Sequence, residues 1–181
     1  MLFRSVDPFR CTLNINGKNL KNYANSNKMR KAVLTYIASR MSYGDIEKLN
    51  KNFQAIDENG DGKLTLNEIK SAVSKNKGIF MENVEEIFKS IDTDNSGCIE
   101  YTEFISASLD KTMYLQEEKL KEAFNMFDTD KSGTIEVGEI AKILGMDKNS
   151  KEMVKMLDKY DTNKDGQIDF QEFIQMMKDF A

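Results

Sequence analysis

Four stretches of twelve residues carry oxygen donors at alternate positions: DENGDGKLTLNE (57–68), DTDNSGCIEYTE (92–103), DTDKSGTIEVGE (128–139) and DTNKDGQIDFQE (161–172). Each opens on aspartate, has an oxygen-bearing side chain third and fifth, glycine sixth, an aliphatic residue eighth and glutamate twelfth. The chemistry this spacing suits is capture of a hard divalent cation, which takes about 6 to 8 oxygens that a loop doubling back on itself can present. Candidate ligands in the first stretch are Asp57, Asn59, Asp61, Lys63, Thr65 and Glu68, and in the second Asp92, Asp94, Ser96, Cys98, Glu100 and Glu103. In the third they are Asp128, Asp130, Ser132, Thr134, Glu136 and Glu139, and in the fourth Asp161, Asn163, Asp165, Gln167, Asp169 and Glu172.

At every diagnostic position the four stretches resemble the EF-hand calcium loop. The resemblance implies four calcium sites. Side-chain oxygens come from positions 1, 3 and 5, a backbone carbonyl from position 7, a donor often acting through water from position 9, and a bidentate carboxylate from position 12. Lys63, Cys98, Thr134 and Gln167 therefore enter through their carbonyls. Loop 1 offers three acidic ligands and each of the others four, which predicts loop 1 as the weakest site. Asp169, shorter than glutamate and able to hold a water, leaves room for magnesium in loop 4 at rest.

The elements that must position these loops are helices. Ile46, Leu49, Phe53 and Ile56 recur at helical spacing ahead of loop 1, with Ser42 and Asp45 as a capping pair. Val84, Ile87, Phe88 and Ile91 do so ahead of loop 2, Leu120, Ala123, Phe124 and Phe127 ahead of loop 3, and Val154, Leu157 and Tyr160 ahead of loop 4. The exiting helices carry Ile69 and Val73, Phe104 and Ile105, Ile140 and Ile143, and Phe173 and Ile174. Position 8 residues Leu64, Ile99, Ile135 and Ile168 are expected to form short antiparallel bridges joining loops in pairs. The fold class is all-α: four helix–loop–helix units in two calmodulin-like lobes, over 42–110 and 111–181, joined through LDKTMYLQ.

Composition narrows the function. With no histidine in 181 residues, histidine catalysis and histidine metal sites are excluded, and no nucleophile, base or phosphate-cradling loop suggests an enzyme. No apolar run approaches the roughly 20 residues that span a bilayer, the first residues do not resemble a signal peptide, and the two cysteines show no paired spacing. A cytoplasmic chain with no nucleic-acid partner is expected. Residues 8–44 hold seven basic residues and no acidic one, so, with Arg4 and Asp7 cancelling, the remainder carries −11 against a total of −4. Six of eleven methionines, Met126, Met146, Met153, Met156, Met176 and Met177, fall in the second lobe, against Met81 and Met113 for the first; such flexible thioethers suit an adaptable groove.

The basic segment culminates in KMRKAVLTYIASRM (28–41). As a helix it places Met29, Val33, Leu34, Tyr36, Ile37 and Met41 on one face and Lys28, Lys31, Thr35 and Ser39 opposite, with Arg30 and Arg40 inside the apolar arc. Three readings of such a helix stand: a target held in a groove, a membrane-surface helix, or ordinary packing. The two arginines favour a helix gripped by an acidic groove. Four bound ions would turn −4 into +4, so any calcium-dependent grip must be mainly apolar.

The stretch LKNYANSNKMRKAVLTYIASRMSYGDIEKLNKNFQAIDENGDGKLTLNEI, followed by three further loops, resembles the regulatory tail of calcium-dependent protein kinases of plants, algae and apicomplexan parasites. The likeness covers roughly residues 14–178, nearly the whole chain. It implies that a junction helix over 18–41 holds a kinase domain inactive until calcium-loaded lobes grip it, in cis or exchanged in a dimer. The kinase domain is then the partner. The Gly-rich loop, VAIK lysine, H-R-D and D-F-G are absent from this sequence, so the expectation is the sensor without the enzyme, preceded by a flexible linker over 1–17. The alternative is a free-standing sensor of the calmodulin or centrin kind acting in trans; a third reading is a calcium buffer.

Overall fold

The computed structural model describes residues 16–75 and 83–179. Of the linker expected over 1–17, residues 1–15 lie outside them, as does Met81, while Asn16 caps and Gly17 opens the first helix. Among the described residues the chain runs through α1 (Gly17–Ala24), α2 (Lys28–Arg40), α3 (Tyr43–Ile56), β1 (Lys63–Leu64), α4 (Leu66–Lys75), α5 (Val84–Ile91), β2 (Ile99–Glu100) and α6 (Tyr101–Ser108). It continues through α7 (Lys111–Tyr114), α8 (Glu117–Phe127), β3 (Thr134–Glu136), α9 (Val137–Leu144), α10 (Lys151–Tyr160), β4 (Gln167–Asp169) and α11 (Phe170–Lys178). No helix among them is long and apolar enough to cross a membrane.

Each strand is a fragment of a loop, and the loops pair antiparallel. Leu64 faces Ile99 across β1 and β2, and Ile135 faces Ile168 across β3 and β4. All four of these side chains are buried. An isolated pair of two- or three-residue strands cannot stand in water; here each pair is closed by the helices flanking it. The ring clusters repeat between lobes: Phe53 meets Tyr101 and Phe104 edge-to-face at 5.3 and 5.5 Å, and Phe124 meets Phe170 and Phe173 at 5.4 and 5.5 Å. Such pairs contribute about 0.5–1.5 kcal/mol each beyond their burial.

The Ser42 cap forms as its sequence suggests. Its hydroxyl accepts from the Asp45 N–H, and the Asp45 carboxylate accepts from the Ser42 N–H. One helix stripe differs from expectation. Val154 is 48% exposed, and α10 buries Met153, Met156 and Tyr160 instead. These recur at i, i+3 and i+7, the spacing of one helix face, from which Val154 is displaced by a full residue's rotation.

The helix expected over 18–41 is two helices. Residues 25–27, Asn-Ser-Asn, break it: Ser26 donates from its hydroxyl to the Tyr23 carbonyl at 2.6 Å, and Asn27 accepts the Arg30 N–H at 2.8 Å as the cap of α2. Short polar side chains that bond to nearby backbone compete with the helix ladder. Three in a row end one helix and start the next. α1 then lies on α5 and α6, burying Leu20 and Tyr23, while its Asn19 side chain donates to the Ser108 carbonyl and the Asp110 carboxylate at 3.2 and 2.6 Å.

α2 runs between the lobes, against α6 of the first and α8 and α9 of the second. Met29, Val33, Leu34, Ile37 and Ala38 are buried there. Burying each of the larger of these side chains is worth about 1.5–3 kcal/mol. The two arginines part company. Arg30, only 2% exposed, sets one nitrogen 2.8 Å from the Tyr114 hydroxyl and its guanidinium 5.5 Å from that ring. Burial lowers its pKa, and the tyrosine works against that fall. Arg40 is exposed at the helix end, over the Tyr36 ring at 5.3 Å. An aromatic hydroxyl and ring thus hold the first, with the Asp179 carboxylate also favouring its charge, while the second stands at the last turn over an aromatic ring. An ion pair between α2 and the second lobe, Lys28 to Glu152 at 3.1 Å, is exposed on both sides and contributes little.

Candidate metal centre

The four loops share one backbone course. The sixth residue is left-handed in each, with Gly97 at φ 84° and Gly133 at φ 90°, where a side chain would be strained. The fourth is left-handed too: Gly60, Asn95, Lys131 and Lys164 lie at φ between 58° and 71°. These two reversals fold the chain around the first aspartate. In loop 2 Asp92 accepts the Ser96 and Gly97 N–H groups, both at 2.9 Å, and in loop 3 Asp128 accepts those of Ser132 and Gly133, both at 3.0 Å. Asp57 and Asp161 do the same in loops 1 and 4.

Carboxylate oxygens of Asp92, Asp94 and Glu103 lie within 4.8 Å of one another, as do those of Asp128, Asp130 and Glu139. Two oxygens on one ion at about 2.3–2.6 Å can be no more than about 5 Å apart, so these triads fit a single calcium. All donors are hard oxygens, which suits calcium or magnesium and disfavours soft metals. Position 5 joins them: the Ser96 hydroxyl sits 2.9 Å from the Cys98 carbonyl and the Ser132 hydroxyl 3.0 Å from that of Thr134. In loops 1 and 4 the third residue is an amide, and Asn59 and Asn163 donate to Asp61 and Asp165, each at 2.9 Å. There the fifth aspartate is drawn in, with the Lys63 N–H on Asp61 at 2.8 Å and the Gln167 N–H on Asp165 at 2.9 Å.

Position 9 serves different ends. The Thr65 hydroxyl donates to Glu68 at 2.7 Å, and Asp169 accepts the Glu172 N–H at 2.8 Å as a helix cap. Glu100 pairs with Lys63 of the neighbouring loop at 3.3 Å and is exposed; Glu136 likewise faces solvent. In loops 2 and 3 the structure thus gathers the carboxylates of positions 1, 3 and 12, with the position 5 hydroxyl on the position 7 carbonyl, and leaves Glu100 and Glu136 exposed.

Each twelfth glutamate sits in the first turn of an exiting helix and reaches back to N–H groups of its own loop. Glu103 accepts the Thr93 N–H at 2.7 Å and the Glu100 N–H at 3.0 Å, and Glu139 accepts from Thr129 and Glu136 at the same distances. The Thr65 N–H, with further donors, holds Glu68 below the usual carboxylate range. In Glu139 and Glu172 burial pushes the carboxyl up, but the N–H groups and hydroxyls facing it outweigh burial and leave it low. Glu68, Glu139 and Glu172 are therefore held charged, and all four glutamates are aimed into their own loops.

Residues in the second position were missed in the sequence reasoning. Thr93, Thr129 and Thr162 donate both N–H and hydroxyl to the twelfth glutamate at 2.7–2.8 Å. The signal was present, as threonine follows the first aspartate in three of the four loops. Loop 1 has Glu58 there, whose carboxylate turns away to Ser71 and Lys75 at 2.8 and 2.6 Å. Loss of an outer partner of a metal ligand costs about 10–100-fold in affinity. Thr129→Val should weaken calcium binding at loop 3 by about tenfold with the fold unchanged, measured by competition with a chromophoric chelator.

The sequence matches the EF-hand domain pair over residues 46–109 and 117–178. The chain belongs to the EF-hand family. This EF-hand chain is 39% identical to Calcium-dependent protein kinase 5 of Plasmodium falciparum (isolate 3D7) over 155 residues, 83% of its own length and 27% of that protein's. It is 38% identical to Calcium-dependent protein kinase 3 of Plasmodium berghei (strain Anka) over 170 residues, 89% of this chain and 30% of the relative. Calcium-dependent protein kinase 4 of Plasmodium falciparum matches at 36% over 180 residues, 92% of this chain and 34% of the relative. The EF-hand chain thus spans about a third of the length of these curated relatives. A crystal structure of a C-terminal domain covers 90% of this chain and 96% of its own at 25% identity and a TM-score of 0.41.

Proposed function

We propose that this EF-hand chain is the calcium-sensing regulatory region of a cytoplasmic calcium-dependent serine/threonine protein kinase, binding four calcium ions and gripping its own α2 to relieve inhibition of the kinase domain. The observation that carries the reading is the seat of α2 between the two lobes, with Met29, Val33 and Ile37 buried against α6, α8 and α9. The match to about a third of several kinases supports it from the side of sequence.

The loops supporting the coupling are the second and third. Glu103 stands in the first turn of α6 and Glu139 in the first turn of α9, and α2 rests on both helices. Calcium supplies the positive charge that lets the carboxylates of a loop close together. The chain does the rest: a twelfth glutamate drawn toward the first aspartate carries the start of its helix with it, and the buried Phe104 and Ile105 follow Glu103 directly in α6, the helix on which α2 rests. Loops 1 and 4, with an amide third, complete each lobe through the β pairs. Within this reading loop 1 is the weakest site, and Asp169 lets loop 4 hold magnesium at rest.

A free-standing sensor would offer an empty groove to targets in trans, and the helix already seated in this one favours capture in cis. Deleting residues 1–41 should raise calcium-dependent fluorescence of a hydrophobic dye several-fold over the full chain, since the α2 seat is then open. Equal fluorescence with and without those residues would refute cis capture. Added to the cognate kinase domain, the full chain should inhibit phosphoryl transfer without calcium and restore it with calcium.

A further inference from the structure

Beside the first turn of α2 lies a cavity of about 440 Å³, closed on the other side by α9 and α10. Its apolar lining is dominated by methionine: Met29 from α2, with Met146, Met153 and Met156 from the second lobe. α2 therefore occupies its seat without filling it. The volume falls within the roughly 300–1,000 Å³ of small-molecule sites. Flexible thioethers mould to an unbranched chain more readily than to a rigid one.

The polar residues around it are unevenly charged. Lys28, Lys31, Lys155 and Lys159 line the cavity against a single acidic residue, Glu152. Three of the four ammonium groups are engaged: Lys28 with Glu152 at 3.1 Å, Lys31 with the Ser90 carbonyl at 2.6 Å, and Lys159 with Asp179 at 2.8 Å. Lys155 is exposed and makes no ion pair among the described residues. An apolar chamber with a surplus of ammonium groups around it complements a ligand with one apolar chain and one anionic end. A wider cleft of about 700 Å³ shares Lys28, Lys31 and Leu144 with the cavity, so a chain longer than the chamber has room to run along α2.

We infer that this cavity is a binding site for a free single-chain carboxylate of the fatty-acid class, its chain among Met29, Met146, Met153 and Met156 and its head group at Lys155. Because Met29 belongs to α2 and the other three methionines to the second lobe, such a ligand bridges the two and braces α2 in its seat. A cavity of about 440 Å³ set between α2 and the second lobe has room for one chain, so the source is the monomeric acid. The inference rests on the cavity and stands apart from the regulatory role proposed above.

The test is a titration of the full chain, labelled at its methionine methyl groups, with decanoate below its micelle concentration and calcium just above the stoichiometry of the loops. Saturable one-to-one shifts confined to Met29, Met146, Met153 and Met156 are expected, with decyltrimethylammonium producing none at equal concentration. Lys155→Glu should weaken decanoate at least tenfold while leaving the ligand-free methyl spectrum intact. Met146→Phe, which fills the chamber with a ring, should abolish the shifts. The inference is overturned by shifts spread across the methionines of both lobes, by an equal response to the cationic amphiphile, by full affinity in either variant, or by sedimentation with phosphatidylglycerol vesicles in place of monomer binding.

Discussion

Glu103→Gln or Glu139→Gln should lower calcium affinity at its loop by at least about 100-fold. Loss of a partner outside the coordination sphere already costs about 10–100-fold, and these side chains belong to the acidic triads themselves. The glutamine keeps the shape and one acceptor oxygen. It removes the charge and turns a donor toward the N–H groups of Thr93 or Thr129, which the glutamate accepts at 2.7 Å. The same exchange at Glu68 should weaken only loop 1, which has no carboxylate at position 3 and on the proposed reading is the weakest site. Titration of the three variants by calorimetry decides the order. A dominant loss from Glu68→Gln would contradict both the ranking of the sites and the role given to α6 and α9.

The second large effect concerns the seat of α2. Met29→Ala and Ile37→Ala should each destabilise the docked arrangement by about 2–5 kcal/mol, the range for deleting a large aliphatic side chain from a packed interior. Both side chains are buried, at 0% and 2% exposure. They lie eight residues apart, about 12 Å along the helix, so their effects should add. Lys28→Ala should cost under about 1 kcal/mol, because its pair with Glu152 is open to solvent. Thermal unfolding of the calcium-loaded chain at low and moderate salt measures all three. Docking through buried methionine and isoleucine should be nearly indifferent to salt, and a steep loss of compactness on adding salt would mean that charge holds α2.

The backbone course of the loops and the gathering of their acidic residues were legible in the sequence because both are local matters. Twelve consecutive residues supply the donors and the reversals of the chain, so the positions of Asp92, Asp94 and Glu103 follow from their spacing, and the pairing of Leu64 with Ile99 follows from the eighth position. Thr93, Thr129 and Thr162 were legible in principle, being local too, but threonine beside an aspartate reads as an ordinary turn until its hydroxyl is seen against the glutamate ten residues on.

The junction was read less well. Its arginines stood in the apolar arc of an idealised helix, yet the helix begins only after the polar run at residues 25–27 and ends at Arg40. A helical wheel assigns an angle to every residue and knows nothing of where a helix stops. Arg30 found a tyrosine 84 residues away, a partner no spacing rule could name. The apolar face of α2 was legible, and Met29, Val33, Leu34 and Ile37 are buried; which helices it would meet, α6, α8 and α9, was not.

From sequence alone came the four loops, their oxygen donors, the helices on either side and the division of charge between a basic head and an acidic body. Each depends on residues within about one turn or one loop of each other. Only the tertiary structure decided that Arg30 is buried on Tyr114 while Arg40 is not, and that methionines of α2 and α10 meet around a chamber edged with lysine. Those outcomes depend on which surfaces of distant helices come together, and that is settled by burial of the whole chain at once rather than by any stretch of it.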